Sequence, residues 1–256
     1  MSGHSKWHNI QARKGKSDAQ RGKIFTKIGR EIAVIVKAGG SDPVSNPKLR
    51  DVIAKAKQNN MPNDSIERSI KKAAGELSGV NYESCTYEGY GTGGSAVIVE
   101  CLTDNKNRTA GDVRHAFDKF GGSLGATGCV SYLFKRKGIV EIDKQDKDVD
   151  SLMMDALELG AVDVVEYDDY CEVVTEQNEH NTIADQMKEK GYQVLNAETR
   201  LVPDSYVDLD QDKLVKFNRM IDLLEDLDDV QEVYHNVNLP DEEYLKIDLD
   251  FFYFLW

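Results

Sequence analysis

The sequence predicts an α+β protein in which an N-terminal three-helix bundle is followed by two ferredoxin-like (βαββαβ) domains, the second inserted into the first. Apolar residues recur at helical spacing through residues 1–75, and short apolar strands alternate with helical patterns after them. Charge divides the chain in the same way. Residues 1–75 hold 16 of the 32 Lys and Arg but 6 of the 45 Asp and Glu, a net charge of +10, whereas the remaining 181 residues carry −23.

The basic N-terminal domain is predicted to span residues 1–77 and to begin with a mobile tail at residues 1–22. The tail has few large apolar side chains, so it buries too little surface to offset its ordering entropy. Three amphipathic helices follow the tail. The first runs from Lys23 to Gly39-Gly40, the second opens at Asn46-Pro47 with Asn46 as its N-cap, and the third runs from Asn63-Asp64 to Gly75.

After residue 77 strand and helix patterns alternate. We expect a split domain at residues 78–136 plus 204–240, an inserted domain at residues 137–203, and an acidic and aromatic tail at residues 241–256. The split domain should contain strand Ser95–Leu102, a helix burying Val113 and Phe117, strand Cys129–Arg136, a helix burying Leu214 and Phe217, and strand Val230–Val237. The inserted domain should contain strands Ile139–Ile142, Val162–Tyr167, Tyr170–Thr175 and Tyr192–Leu201, with helices around Leu152 and Ile183.

The sequence gives little support for an enzyme, a metal site or a cofactor. The glycines of residues 89–94 formally contain G-x-G-x-x-G, but they precede a strand instead of opening a helix. A glycine-rich turn between strands is therefore predicted. His4 and His8 have no third ligand nearby, and the four cysteines are scattered singly, so we expect reduced thiols and no metal. The protein is predicted to be non-enzymatic, with no small-molecule substrate.

No segment has the length and apolar character of a signal peptide or a membrane span. The composition, 40% hydrophobic and 30% charged, is typical of a globular protein. These features predict a cytoplasmic location and no membrane partner.

The basic N-terminal region is the candidate functional site. Lys and Arg neutralise phosphates, and an indole can stack on an unpaired base. Such residues are ordinarily a solvated helical face, but here they continue through the poorly packing tail, which favours contact with nucleic acid. The predicted nucleic-acid-binding residues are Lys6, Trp7, Arg13, Lys14, Lys16, Arg21, Lys23, Lys27 and Arg30, and a second contact is predicted at Lys106, Arg108 and Arg114.

Sequence motifs along most of the chain, to about Leu239, resemble the YebC/PmpR family. The motifs are Gly3-His4-Ser5-Lys6-Trp7, Arg21-Gly22-Lys23-Ile24-Phe25-Thr26-Lys27, Asn59-Asn60-Met61-Pro62, Tyr87-Glu88-Gly89-Tyr90-Gly91, Glu100-Cys101-Leu102-Thr103-Asp104-Asn105 with Arg108-Thr109, and Val113-Arg114-His115-Ala116-Phe117. The resemblance implies a three-domain α+β protein of the bacterial cytoplasm without catalytic activity. Thr92 stands where the family usually has Pro, which we expect to loosen the glycine turn.

The resemblance also implies two kinds of function. Family members are described as DNA-binding transcriptional regulators, and also as ribosome-associated factors that relieve stalling at proline-rich stretches. The third helix offers Arg68, Lys71 and Lys72 but little base-reading polarity, so no recognition helix is evident. A mobile basic tail with one aromatic residue suits irregular RNA at least as well. A DNA-binding transcriptional regulator is the first prediction, and a translation factor bound to ribosomal RNA and the ribosome is the alternative.

Overall fold

The computed structural model describes residues 18–75, 81–144, 148–167 and 169–239. Most of the predicted mobile tail, residues 1–17, and all of the aromatic tail at residues 241–256 lie outside the described residues. The described chain divides into two compact units. The first contains residues 18–75, 81–131 and 207–239, and the second contains the described part of residues 132–206. The predicted α+β class is confirmed.

Three helices open the first unit: α1 (Asp18–Gly39), α2 (Pro47–Gln58) and α3 (Asn63–Ala74). Their apolar faces meet in one core that includes Ile28, Ile32, Leu49 and Ile66. Asn46 caps α2, because its side-chain oxygen accepts a hydrogen bond from the backbone N–H of Leu49. These helices agree with the apolar spacing, except that α1 begins before the expected Lys23.

Strands alternate with helices through the rest of the described chain. In chain order the elements are β1 (Glu83–Tyr90), β2 (Ala96–Thr103), α4 (Lys106–Lys119), β3 (Ser123–Leu124), β4 (Phe134–Asp143), α5 (Val149–Glu158), β5 (Asp163–Glu166), β6 (Tyr170–Thr175), α6 (His180–Glu189), β7 (Val194–Pro203), α7 (Gln211–Glu225) and β8 (Val230–His235).

The first unit contains an antiparallel sheet with the strand order β3-β1-β2-β8. Helices α4 and α7 pack against this sheet around Phe117, Phe217 and Met220. The spatial order is that of a ferredoxin-like sheet, but β1 comes first in the chain instead of between β3 and α7. The strand expected before the glycine turn is β1, whose bounds were not predicted because it is largely polar and only Glu88 and Gly89 in it are buried.

The second unit is a ferredoxin-like sheet with the order β5-β6-β4-β7, covered by α5 and α6. The predicted strand Cys129–Arg136 is wrong in its first half. Residues Ser131–Leu133 form one turn of 3₁₀ helix, and β4 then runs without a break from Phe134 through the expected Ile139–Ile142. Val130, Tyr132 and Phe134 alternate along the sequence as strand residues do. In the structure, however, Tyr132 lies in the 3₁₀ turn and Phe134 begins the strand.

The glycine cluster is a turn between β1 and β2, as predicted. Gly93 and Gly94 adopt φ values of +73° and +79°, which L side chains rarely adopt. The hydroxyl of Thr92 donates a 2.8 Å hydrogen bond to the backbone oxygen of Phe120 and so ties this turn to the end of α4. None of the described helices has both the length and the apolar character to cross a bilayer.

Candidate nucleic-acid interface

Three of the predicted phosphate contacts lie on one side of α1 and face residues 225–229 of the same unit. These residues end α7 and lead into β8, and they contain Glu225, Asp226, Asp228 and Asp229; we call them the acidic segment. Lys23 Nζ is 2.8 Å from Asp226 Oδ1. Lys27 Nζ donates a 2.8 Å hydrogen bond to the backbone oxygen of Glu225. These two lysines therefore bind groups of the protein itself.

Arg30, one turn further along α1, is held more deeply. Its Nη1 is 2.5 Å from both Asp229 Oδ1 and the backbone oxygen of Asp228. The guanidinium also lies over the ring of Tyr82, 5.5 Å from the ring centroid. The side chains of the Arg30–Asp229 pair are only 15% and 10% exposed. This ion pair anchors α1 to the start of β8.

Asp229 is the centre of a polar cluster that joins distant parts of the first unit. Its Oδ2 accepts hydrogen bonds from Arg108 Nη2 at 2.7 Å, Thr109 Oγ1 at 2.8 Å and Thr103 Oγ1 at 3.1 Å. Together with Arg30, these residues form what we call the Asp229 cluster. Arg108 and Thr109 belong to the first turn of α4, which Asn105 caps by accepting from the backbone N–H of Arg108.

The pKa shifts differ along the contact between α1 and the acidic segment. Burial lowers the pKa of Lys27, and the nearby Glu232, Glu225 and Asp228 only partly offset this effect. Burial also raises the pKa of Glu225 to about 7, against the influence of Lys27. At Asp229 burial acts in the same direction, but hydrogen bonds from Arg108, Thr109 and Arg30 keep the pKa below its usual value. The contact between α1 and the acidic segment is thus partly withdrawn from water.

The residues of the predicted second contact separate in the structure. Lys106 pairs with Glu83 at 2.5 Å, and Arg108 pairs with both Asp104 and Asp229 at 2.7 Å. Arg114 is exposed on α4 and has no ion pair with any described residue. Arg108 therefore serves the Asp229 cluster, while Arg114 faces solvent.

The other predicted residues are placed as follows. Arg21 is exposed near the start of α1. Lys6, Trp7, Arg13, Lys14 and Lys16 lie outside the described residues, as do His4 and His8. Within the described ranges, no group of three His, Cys, Asp or Glu side chains is arranged to hold a metal ion.

The second and third helices carry exposed cations that the sequence prediction did not include. Arg68 and Lys71 contact neighbours on their own helix, at the backbone oxygen of Asp64 and the carboxylate of Glu67. Four others have no ion pair with a described residue: Lys48, Arg50, Lys57 and Lys72. The sequence could have shown that these four cations are exposed, because they lie opposite the apolar positions Leu49, Val52, Ala56 and Ala73.

Two family models together match nearly all of the described chain. The model of the TACO1/YebC protein N-terminal domain matches residues 5–76, and that of the TACO1/YebC second and third domain matches residues 82–237. The chain belongs to the TACO1/YebC family. Its membership agrees with the motifs that suggested the YebC resemblance.

Relatives and a solved structure extend this finding. A probable transcriptional regulatory protein of Clostridium botulinum (strain Okra / Type B1) is 60% identical over 242 residues, covering 94% of this chain and 98% of that protein. A probable transcriptional regulatory protein of Hathewaya histolytica is 59% identical over the same length, with the same coverage. The crystal structure of a conserved hypothetical protein from Aquifex aeolicus is 44% identical, with a TM-score of 0.80 over 90% of this chain and 95% of that one.

The family motifs have structural roles in this member. The motif at residues 100–109 supplies Thr103, Arg108 and Thr109 to the Asp229 cluster. Glu88, from the motif before the glycine turn, accepts hydrogen bonds from the backbone N–H groups of Gly128, Val130 and Ser131 at 2.8, 3.0 and 2.8 Å. The carboxylate of Glu88 thus holds the loop of residues 128–131 through the backbone N–H groups of that loop.

Proposed function

We propose that this protein is a non-enzymatic, cytoplasmic regulator of gene expression whose helical domain binds DNA. The observation that carries the proposal is the separation of charge between residues 1–75, at +10, and the rest of the chain, at −23. A polyanion is attracted to one end of such a molecule and repelled by the remainder. Transcription is favoured because the relatives from Clostridium botulinum and Hathewaya histolytica are named probable transcriptional regulatory proteins.

The proposed contacts combine the basic tail with the exposed cations of the helices. Lys6, Arg13, Lys14, Lys16 and Arg21 would neutralise phosphates, and Trp7 would stack on a base. We add Lys48, Arg50, Lys57 and Lys72, because they are exposed and have no carboxylate partner among the described residues. Arg114 remains a proposed second contact, on α4.

The test is a salt titration of binding by the full-length protein, with a fluorescein-labelled DNA duplex of mixed sequence. If about six cations engage the duplex, the logarithm of affinity falls against the logarithm of salt with a slope of roughly −5. Changing Lys48, Arg50, Lys57 and Lys72 to Gln should flatten this slope by roughly 0.9 for each of the four that contacts a phosphate.

A matched control changes four exposed lysines of the acidic part to Gln: Lys135, Lys188, Lys213 and Lys216. This variant loses the same charge and should keep the wild-type slope. A wild-type slope near zero, or equal slopes for the two quadruple variants, would overturn the assignment of the helical domain as the binding site.

A translation factor bound to ribosomal RNA is the second candidate. The observation that favours it is the composition of α3. Its exposed polar side chains are charged, apart from the amide of Asn63 at the helix start. Reading bases in a duplex groove usually requires more such groups. Gradient sedimentation of gently lysed cells distinguishes the candidates. Co-migration with ribosomes, lost when Lys6, Arg13, Lys14 and Lys16 are neutralised, would select translation over transcription.

A further inference from the structure

The basic side of α1 is already occupied by negatively charged groups of the protein itself. We propose that the acidic segment acts as an intramolecular stand-in for phosphate, which holds Lys23 and Lys27 until a nucleic acid displaces it. This inference rests on the proposed function and adds a means of regulating the same site. In the closed state that the structure describes, the two lysines are withheld from solution phosphates.

The chemistry of the contact resembles that of a phosphate site. Lys27 binds the backbone oxygen of the last residue of α7, where unsatisfied carbonyls carry the negative end of the helix dipole. Lys23 binds the carboxylate of Asp226 in the next position. A carboxylate next to a helix C-terminus therefore presents clustered oxygen acceptors to two cations, as a nucleic-acid backbone would.

The contact becomes tighter along α1, which defines how far displacement can proceed. The Lys23 and Asp226 side chains are 40% and 66% exposed, and such surface pairs contribute little to stability and exchange readily. Lys27 is partly buried. Arg30 is bound to Asp229, and the side chains of this pair are almost enclosed. Release would therefore begin at Lys23, include Lys27 and stop at Arg30, which would remain as the hinge.

The experiment compares two aspartates of the same helix region. Asp226→Asn weakens the hold on Lys23, whereas Asp212→Asn removes the same charge at the opposite end of α7, where Asp212 is exposed and has no ion pair with a described residue. Binding is measured with a labelled mixed-sequence RNA oligonucleotide and a DNA duplex of the same sequence. Asp226→Asn should bind both probes more tightly than Asp212→Asn, because no carboxylate then competes with phosphate for Lys23.

A double-mutant comparison separates displacement from a general charge effect. Changing Lys23 to Gln should cost more affinity in the Asp226→Asn background than in the wild type, because in the wild type the loss of the phosphate contact is partly offset by the loss of the competing Lys23–Asp226 pair. Equal costs, or equal affinities for Asp226→Asn and Asp212→Asn, would overturn the inference and leave the proposed function intact. If neither the wild type nor Asp226→Asn binds either probe, both the proposed function and this inference fail.

Discussion

Within the residues that the structure describes, each compact unit contains a buried ionic cluster, and the two clusters have opposite signs at their centres. In the first unit the carboxylate of Asp229 is surrounded by Arg30, Arg108, Thr103 and Thr109. In the second unit the guanidinium of Arg200, with a side chain 7% exposed, is surrounded by carboxylates. Its partners are Glu141 at 2.5 Å, Glu172 at 2.7 Å and Glu198 at 2.5 Å.

The clusters differ in what they connect. The partners of Arg200 all lie on β4, β6 and β7, neighbouring strands of one sheet. The partners of Asp229 come from α1, β2 and α4, and Arg30 is 199 residues away in sequence. Burying charges carries a large desolvation cost, so such clusters contribute more to specifying geometry than to net stability. We infer that Arg200 specifies strand register, whereas Asp229 specifies how the helical part docks on its sheet.

The largest expected effect is that of removing Arg200. Arg200→Met leaves the buried carboxylates of Glu141 and Glu172 without their cation, and breaking a buried pair in this way costs about 3–5 kcal/mol in the free energy of unfolding. Urea unfolding at neutral pH measures the loss. Because the stranded carboxylates take up protons, the deficit should shrink as the pH falls. A loss unchanged by pH would show that the carboxylates find other partners.

Asp229→Asn should cost less, near the lower end of the same range of about 3–5 kcal/mol. The reason is that the Arg108 side chain is 47% exposed, so water can solvate one of the two stranded cations. The location of the effect tests the comparison. Amide hydrogen exchange in α1 should accelerate in Asp229→Asn and stay at the wild-type rate in Arg200→Met. Faster exchange of α1 in both variants would contradict the separate roles.

Much of the fold could be predicted from the sequence, because its elements have strong local signals. The N-cap at Asn46, the strand Tyr170–Thr175 and the apolar faces of α2 and α3 were all expected at or near their observed positions. The bounds of strand β1 could not be predicted, because its side chains are largely polar and exposed, so the apolar alternation that marks a strand is absent.

The candidate site was harder to predict. Lys27 and Arg30 lie opposite the isoleucine stripe of α1, where a sequence pattern indicates solvent. Their partners are 198 and 199 residues away, a separation over which a single sequence offers no periodic signal. The exposed cations of α2 and α3 were visible, but nothing local distinguished them from ordinary surface charge.

The two clusters can also be compared by removing one hydroxyl group from each. Thr109→Val removes a 2.8 Å hydrogen bond to Asp229, and Tyr167→Phe removes a 3.2 Å hydrogen bond to Glu172. A hydrogen bond to a charged group contributes about 1.5–3 kcal/mol. Thr109→Val should therefore lie higher in this range and Tyr167→Phe lower, as measured by urea unfolding. The reverse order would mean that Glu172 depends on the hydroxyl of Tyr167 more than Asp229 depends on that of Thr109.

The last comparison concerns two carboxylates of the acidic segment with opposite pKa shifts. Asp229 is held below its usual pKa by its hydrogen-bond donors, whereas burial raises that of Glu225 to about 7 despite Lys27, with Asp222, Glu232 and Asp226 adding to the increase. A carboxyl group with a raised pKa binds its proton more tightly in the folded state. Its stabilising contribution is complete below about pH 4.5, the ordinary value, and is lost as the pH rises through 7.

Glu225→Gln should remove this loss. The unfolding free energy of the variant should therefore rise relative to that of the wild type between pH 4.5 and 7. The difference between the two proteins is the informative quantity, because buried His235 acts in the opposite sense in both. Burial lowers the pKa of His235 to about 4, so both proteins lose stability as the pH falls below 6.5. A wild-type and variant difference that stays constant with pH would mean that Glu225 is ionised and well solvated, and that its carboxyl group takes no part in holding α1.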